Sequence, residues 1–379
     1  MAIQFNSSPE PTVGVELELG IVDRGTRGLV NAATDVLERM SGPTGAEHPK
    51  VKHELFESTV EVITGICDTV SDAAADLAAT LDELTAALTA DPRDLALVGS
   101  GTHPFSPWSD LAVSPSERYQ DLIERIGWPA RRLAIHGTHV HVGVRSGEQS
   151  VAVTNGLLAL LPLFLALSGS SPFWNARDTG LDSARTKVFE CLPTAGLPPT
   201  LEGWGDFEEF MDALLTAGAI SSIREVWWDV RPHPDFGTVE LRMCDALQTM
   251  EEVRAIVALA QCSTADLQDR AEEGEPIERF RDWILQENKW LAARHGLDAE
   301  LIVDDHGNRR PAREIIATTV DRLGPMADRL GCTDDLAGVS RILAVGNGAE
   351  RQRAVIASGG DHRDVVDLLV AEWASGHPS

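Results

Sequence analysis

The sequence predicts an α+β fold in a single domain. Short runs in which apolar and polar residues alternate, the pattern of a half-buried strand, occur in the first two thirds of the 379-residue chain. After about residue 247, apolar residues recur three and four positions apart, which is typical of helices. No repeat, linker-like tract or charge block divides the chain. We therefore expect one domain over residues 1–379, with a helical C-terminal third at about 247–379.

Helices are predicted where capping residues and helix breakers bound an apolar periodicity. Ser71 and Asp72 are expected to cap a helix at 71–89, and Gly127 is expected to end a helix at 116–126. Further helices are expected at 206–217, 248–273, 277–295, 311–330 and 362–375. Segments rich in Gly and Pro predict loops at 99–107, 192–205 and 231–237.

Composition excludes several classes of protein. With 59 Asp and Glu against 32 Lys and Arg, the formal charge of −27 repels nucleic acid and anionic membrane surfaces. The most apolar segment, at 157–167, is much shorter than the about 20 residues of a membrane span, so we expect a buried helix there. Five widely spaced cysteines without a C-x-x-C pair argue against a disulfide framework or a zinc knuckle. The N-terminus shows no secretion signal, so a cytoplasmic protein with reduced thiols is expected.

Four stretches carry ionisable residues at alternating positions. Side chains i and i+2 of a strand point to the same face, about 7 Å apart, so each stretch predicts a strand with one aliphatic and one ionisable face. The ionisable residues are Glu16 and Glu18 in GVELELGIVD, Glu61 in HELFESTVEVITG with Glu54 in the turn before it, His139 and His141 in GTHVHVGV, and Glu240 and Arg242 in GTVELRMCD. If the four strands lie side by side in one antiparallel sheet, these groups meet in one basin.

A solvated sheet face is the ordinary explanation for any one such strand. It fits the four together poorly, because they place carboxylates and histidines at the strand centres without a lysine, and opposed like charges destabilise a sheet. Divalent cations would compensate the charge, and oxygen-rich ligands favour Mg²⁺, with Mn²⁺ possible because histidine is present. Several such ions beside a fixed arginine suit phosphoryl transfer from a nucleoside triphosphate. Arg242 and Arg231 are the candidates to neutralise the transferred phosphate.

Six motifs in order over roughly residues 12–300 carry a resemblance to a known family. They are GVELELGIVD, ELFESTVEVITGIC, GTHVHVG, DTGLDSARTKVFECLPTAGLP, WWDVRPHPDFGTVELRMCD and ENKWLAARHGLD. As an ordered set, they resemble the glutamate–cysteine ligase type 2 family of carboxylate–amine ligases, whose fold is related to that of glutamine synthetase.

The resemblance implies a curved, mainly antiparallel sheet with helices on its outer face. It implies ATP-dependent amide formation from an acid, typically glutamate through its γ-carboxylate, and an amine, in a homodimer that uses Mg²⁺. Six residues are implied at the metal–ATP site: Glu16, Glu18, Glu54, Glu61, His139 and Glu240. Arg242 is implied at the transferred phosphate and Arg185 at the acid, with Arg231, Asn288 and Arg294 as weaker assignments. We expect His141 to be a substrate contact or to support the metal ligands.

Two other functions stay open from the sequence. A metal-dependent amidohydrolase would also use an H-x-H pair, but it would need further histidines and an α/β barrel. A nucleotide-binding protein that lost catalysis would keep the sheet, although it would not need the full set of carboxylates and Arg242. His103 and His136 lie near the basin in sequence, and we expect structural roles for both.

Overall fold

The computed structural model describes residues 3–41 and 45–379. Strands within these residues are β1 (Val13–Asp23), β2 (Val51–His53), β3 (Thr59–Ile63), β4 (Leu95–Val98), β5 (Thr138–Gly143), β6 (Phe173–Trp174), β7 (Arg177–Asp178), β8 (Val230–His233), β9 (Thr238–Leu241), β10 (Glu300–Ile302) and β11 (Arg309–Pro311). The α-helices are α1 (Ala33–Met40), α2 (Val70–Thr89), α3 (Glu117–Ile126), α4 (Trp128–Arg131), α5 (Gly147–Ser168), α6 (Ala184–Phe189), α7 (Trp204–Thr216), α8 (Met250–Glu273), α9 (Asp282–His295), α10 (Ala312–Leu330), α11 (Thr333–Val345), α12 (Gly348–Ala357) and α13 (His362–Ser375).

The central sheet has seven strands and is open and antiparallel. Its order is β2-β3-β1-β5-β9-β8, and β4 pairs with the last residues of β1. The register places Glu18 opposite Glu61 and Glu16 opposite His139. In the next pair of strands, His141 lies opposite Glu240. The predicted α+β class with an antiparallel sheet is therefore confirmed, and the four ionisable stretches are neighbours.

The aliphatic face of the sheet is buried against helices. Val15, Leu17, Val140 and Val239 are at most 1% exposed and share one apolar core with residues of α2, α5 and α8. Burial of this apolar surface is the main favourable contribution to folding. Because alternate residues of a strand point to opposite faces, the ionisable side chains all lie on the other face.

Helix α5 extends the buried helix that we expected at 157–167. It is long and apolar enough to cross a membrane by length and composition, and 83% of its most apolar window is buried inside the protein. It packs against α8 and α9 and against the edge strand β8. The helix therefore belongs to the core beneath the sheet.

The start of α2 differs from the prediction. Its N-cap is Thr69, whose hydroxyl accepts the backbone N–H of Asp72, while the Asp72 carboxylate accepts the backbone N–H of Thr69. This reciprocal pair is a capping box. Ser71 lies inside the first turn, so the prediction that it caps the helix was wrong.

The predicted loop at 231–237 is wrong in its first half. Residues Val230–His233 form β8, and the turn follows at 234–237. Pro232 is tolerated because β8 lies at the edge of the sheet, where a missing N–H breaks no bond between strands. As a result, Arg231 and Glu240 are paired on adjacent strands.

The C-terminal third is helical as predicted, with the short β10–β11 hairpin between α9 and α10. Helix α9 begins at Asp282, later than the expected 277, and residues 275–281 are irregular. An open antiparallel sheet is also unlike the α/β barrel that an amidohydrolase of the kind considered above would need. All five cysteines have free thiols, as expected.

Candidate active site

A cavity of about 850 Å³ lies over the ionisable face of the sheet. Helix α3 and the segment at 221–227 form parts of its walls. The predicted residues that line it are Glu16, Glu18, Glu54, Glu61, His139, His141, Arg185, Arg231, Glu240 and Arg242. The basin expected from four separate stretches therefore exists as one site.

Glu16 lies at the centre of the cavity floor between two histidines. His139 Nδ1 is 3.0 Å from Glu16 Oε2, and His141 Nε2 is 3.2 Å from Glu16 Oε1. Burial alone would raise the pKa of Glu16, but the two histidines outweigh it and hold this pKa well below its usual value. Glu16 is therefore an ionised carboxylate.

Glu18, Glu54 and Glu61 form a cluster of carboxylates with little compensation. Burial is the largest cause that raises the pKa of each, and repulsion from neighbouring carboxylates adds to it. Among the residues that the structure describes, no lysine or arginine forms an ion pair with any of the three. Such a cluster is costly when ionised, and a bound cation would remove that cost.

Glu240 is held by two arginines. Arg231 Nε donates to Glu240 Oε2 at 2.8 Å, and Arg242 Nη1 donates to Glu240 Oε1. Burial would raise the pKa of Glu240, but the two guanidinium groups outweigh it and lower this pKa. Glu240 in turn raises the pKa of Arg242 against the opposing effect of burial. Burial lowers the pKa of Arg231, with Glu240 opposing that shift, and the shared carboxylate fixes both guanidinium groups on the floor of the cavity.

One described group of three ligand atoms lies close enough to hold a metal ion. The atoms belong to Glu16, His141 and Glu240 and lie within 4.8 Å of one another. The sequence led us to expect His139 as the nitrogen ligand. His139 Nε2 instead lies 3.7 Å from Glu18 Oε1 and 3.5 Å from Arg185 Nη2. The distances therefore favour His141 for this group, and His139 as a ligand stays a prediction.

Arg185 supplies a further cation on the cavity wall. It lies on α6, whose N-cap Ser183 also donates to the buried carboxylate of Asp245 at 2.7 Å. Its guanidinium reaches the carbonyl oxygen of Arg242 at 3.3 Å and forms no ion pair within the described chain. The Nε atom of Arg185 is buried without a hydrogen-bond partner. An anionic ligand would bind the Arg185 guanidinium more strongly than the neutral carbonyl oxygens do.

Two weaker assignments do not reach the cavity. The Asn288 side chain donates to the carbonyl of Ile302 and accepts from its N–H, both at 2.8 Å, so it fixes β10 instead. Arg294 lies beside Gly180, outside the cavity lining. Both predictions of a ligand contact are corrected by these positions.

Lys289, the neighbour of Asn288, was missed in the sequence. Its Nζ is 2.5 Å from Asp229 Oδ2 and 2.7 Å from Glu190 Oε1, and the side chain is buried. Asp229 precedes β8 and Glu190 caps the C-terminus of α6, so this lysine joins the elements that carry Arg231 and Arg185. The only signal in the sequence was a lysine within the apolar stripe of a helix.

His103 and His136 have structural roles, as expected. His103 Nε2 is 2.9 Å from the carbonyl of Arg27, and His136 Nδ1 is 3.0 Å from the carbonyl of Ser100. Burial lowers the pKa of His103 to about 3 and that of His136 to about 4, so both rings are neutral at physiological pH. Neither lines the cavity.

Solved structures show the same fold. A crystal structure of the glutamate–cysteine ligase of Francisella tularensis in complex with AMP aligns with a TM-score of 0.72 at 12% identity, over 97% of this chain and 89% of that one. A bifunctional glutathione synthetase of Pasteurella multocida aligns with a TM-score of 0.70 at 14% identity, over 97% of this chain and 53% of that one. The fold is therefore that of the glutamate–cysteine ligase class.

Sequence comparison gives the family. The family model described as glutamate–cysteine ligase family 2 matches residues 12–370. Two proteins that carry the provisional names glutamate–cysteine ligase 2 in Thermobifida fusca and 2-1 in Frankia casuarinae are each 48% identical over 380 aligned positions. The alignments cover 100% of this chain and 95% and 99% of those proteins. The chain belongs to glutamate–cysteine ligase family 2 and is an ATP-dependent ligase that forms an amide bond.

Proposed function

We propose that this ligase activates the γ-carboxylate of glutamate as an acyl phosphate and transfers the acyl group to an amine. The observation that carries the proposal is that two kinds of charged group line one cavity. Carboxylates that need cations, such as Glu54 and Glu61, share it with arginines that offer charge to anions, such as Arg185 and Arg242. A phosphate transferred between a nucleotide and a carboxylate needs both kinds of group at once.

The donor set fits divalent ions. Carboxylate oxygens dominate it, and the raised pKa values of Glu18, Glu54 and Glu61 mark charge that nearby residues leave uncompensated. Hard ions with oxygen ligands match this set, so Mg²⁺ or Mn²⁺ would be held by these three with Glu16, Glu240 and one of the two histidines. Such ions would neutralise the phosphate oxygens and so favour attack on phosphorus.

Each step of the reaction has groups of this chain to assist it. In the first step, an oxygen of the acid forms a bond to the γ-phosphorus and ADP leaves, while Arg242, held by Glu240, stabilises the charge on the phosphate. Arg185 would bind a carboxylate of the acid substrate. In the second step, the amine nitrogen bonds to the acyl carbon, phosphate leaves, and the ammonium proton passes to a carboxylate of the cavity or to water.

The finer assignments rest on the family. The names of the relatives point to cysteine as the amine, so cysteine is the first acceptor to test. We also propose one domain, because a single apolar core contains residues from Val13 to Ile342. A homodimer and a cytoplasmic location complete the proposal.

The test is release of ADP by purified protein with Mg²⁺ or Mn²⁺, ATP, glutamate and a panel of amines that includes cysteine. We expect release that depends on both acid and amine, with a product lighter than their sum by one water in mass spectrometry. Amide hydrolysis without ATP would support a hydrolase. Tight ATP binding with no turnover across the panel would support a protein that has lost catalysis.

A further inference from the structure

The β8–β9 turn places an aromatic ring at one end of the cavity. Phe236 lines the cavity and is 55% exposed, so its ring is accessible to a ligand there. Its ring stacks on His233, with 4.1 Å between centroids and 10° between planes. The ring centroid of His141, on the cavity floor, lies 5.6 Å from that of Phe236. Within the pair, Phe236 is the accessible ring, because His233 is only 8% exposed.

The turn that carries Phe236 is held rigidly. The N–H of Asn6 donates to the carbonyl of Pro234 at 2.9 Å, and the Asn6 amide donates to the carbonyl of Asp235 at 2.7 Å. Gly237 has a φ of 67°, and a Cβ there would overlap the carbonyl oxygen of Asn6. A ring fixed in this way loses little entropy when a ligand stacks on it.

The position of the ring relative to Arg242 suits a nucleotide. His233 pairs with Thr238, which lies four residues before Arg242 along the same strand direction. At about 3.3 Å per residue, the backbone of Thr238, beside the turn, lies about 13 Å along the sheet from the backbone of Arg242. A triphosphate chain and a ribose can bridge such a separation, with the terminal phosphate at Arg242 and the base at the turn.

We propose that the stacked pair of Phe236 and His233 is the platform for the nucleobase of ATP. This inference rests on the proposed function, because it takes the γ-phosphate to lie at Arg242. Stacking of a base on an aromatic ring requires only two flat faces, and truncation of such a ring typically weakens binding about tenfold or more. The platform therefore sets affinity for the base and leaves the reacting phosphate to the arginines and carboxylates.

Calorimetric titration with two ligands separates the base from the phosphates. ATP and inorganic tripolyphosphate, each with Mg²⁺, are titrated into the wild type, Phe236→Ala and Phe236→Tyr. Trp283→Ala is the matched control, because Trp283 is an exposed aromatic residue on α9 outside the cavity. We expect Phe236→Ala to weaken ATP binding about tenfold and leave tripolyphosphate unchanged. Phe236→Tyr should bind ATP like the wild type, and so should Trp283→Ala.

Three results would overturn the platform. One is equal weakening of both ligands in Phe236→Ala, which would mean that the ring only shapes the cavity. Another is unchanged affinity of Phe236→Ala for ATP, which would mean that the ring does not contact the base. The third is equal affinity of the wild type for ATP and tripolyphosphate, which would leave the phosphate site intact. A wild type that binds neither ligand would refute the proposed function itself, and the platform with it.

Discussion

Arg231 and Glu240 face each other on adjacent antiparallel strands and form a buried ion pair. Arg231 Nε and Nη2 lie 2.8 and 2.7 Å from Glu240 Oε2, and the two residues are 8% and 1% exposed. Arg242 holds the second oxygen of the same carboxylate. One carboxylate thus fixes two cations at the place where phosphate transfer is proposed.

Glu240→Gln should reduce acid-dependent ADP release to below about 1% of the wild type, because two guanidinium groups lose their common anchor. The unfolding free energy should fall by about 3 kcal/mol, since a buried ion pair is broken. Steady-state kinetics and urea unfolding measure the two effects. Glu209→Gln, at an exposed position of α7, is the control and should change neither. Full activity of Glu240→Gln would refute its assignment.

Arg185→Met should raise KM for glutamate about 100-fold, because the bond to an anionic substrate is lost. ATP affinity should change little. The matched control is Arg294→Met, since Arg294 is also an arginine near the α6 region but lies outside the cavity lining. Initial rates at varied glutamate and varied ATP separate the two constants. Equal effects of the two variants would contradict the placement of Arg185.

Glu61 should make the metal-free protein less stable as pH rises. Its pKa is well above the usual value of 4.5, through burial first and neighbouring carboxylates second. A group whose folded pKa is raised contributes stability that is present below 4.5 and lost as pH climbs through the raised value. In EDTA at neutral pH, Glu61→Gln should therefore melt about 2 °C above the wild type.

With added Mn²⁺, the wild type should melt above Glu61→Gln, because only the wild type has the Glu61 carboxylate to bind the ion. Differential scanning calorimetry with EDTA and with Mn²⁺ gives both comparisons. If Glu61→Gln melted below the wild type in EDTA, the carboxylate cluster would not be the uncompensated group of charges described above.

His103 should contribute to acid unfolding. Its pKa falls from 6.5 to about 3 through burial, so the folded state excludes a proton that the unfolded chain accepts. Its contribution to stability is therefore full above pH 6.5 and is lost as pH falls toward 3. His103→Gln should flatten the decline of the unfolding free energy between pH 6 and 4 by up to about 1.4 kcal/mol per pH unit. Urea unfolding at three pH values measures this slope, with the exposed His377→Gln as control.

The strands that build the cavity floor were readable because each keeps an alternation with a period of two residues. That period fixes which face Glu16, Glu18, His139 and Glu240 occupy. It does not fix which strands are neighbours, because pairing is a long-range property, and the family resemblance supplied that step. The alternation also does not show which of the two histidines lies closer to the other candidate metal ligands, since both are on the same face.

Two wrong predictions, the loop at 231–237 and the ligand role of Asn288, have local physical causes. Pro232 and Pro234 made 231–237 look like a loop, yet an edge strand tolerates proline, and Arg231 lies on that strand. The motif ENKWLAARHGLD predicts a ligand role for Asn288, whereas its neighbour Lys289 joins the end of α6 to the residue before β8. Adjacent residues of a helix point in directions about 100° apart, so a motif alone could not distinguish them.

Activation of the acid as an acyl phosphate is tested most directly by an isotope measurement. Glutamate labelled with ¹⁸O in its γ-carboxylate is incubated with the protein, ATP, a divalent ion and the accepted amine, and the phosphate is analysed by mass spectrometry. In the proposed route, one carboxylate oxygen stays with the phosphate, so each phosphate should carry one ¹⁸O. Unlabelled phosphate formed together with the amide would contradict it.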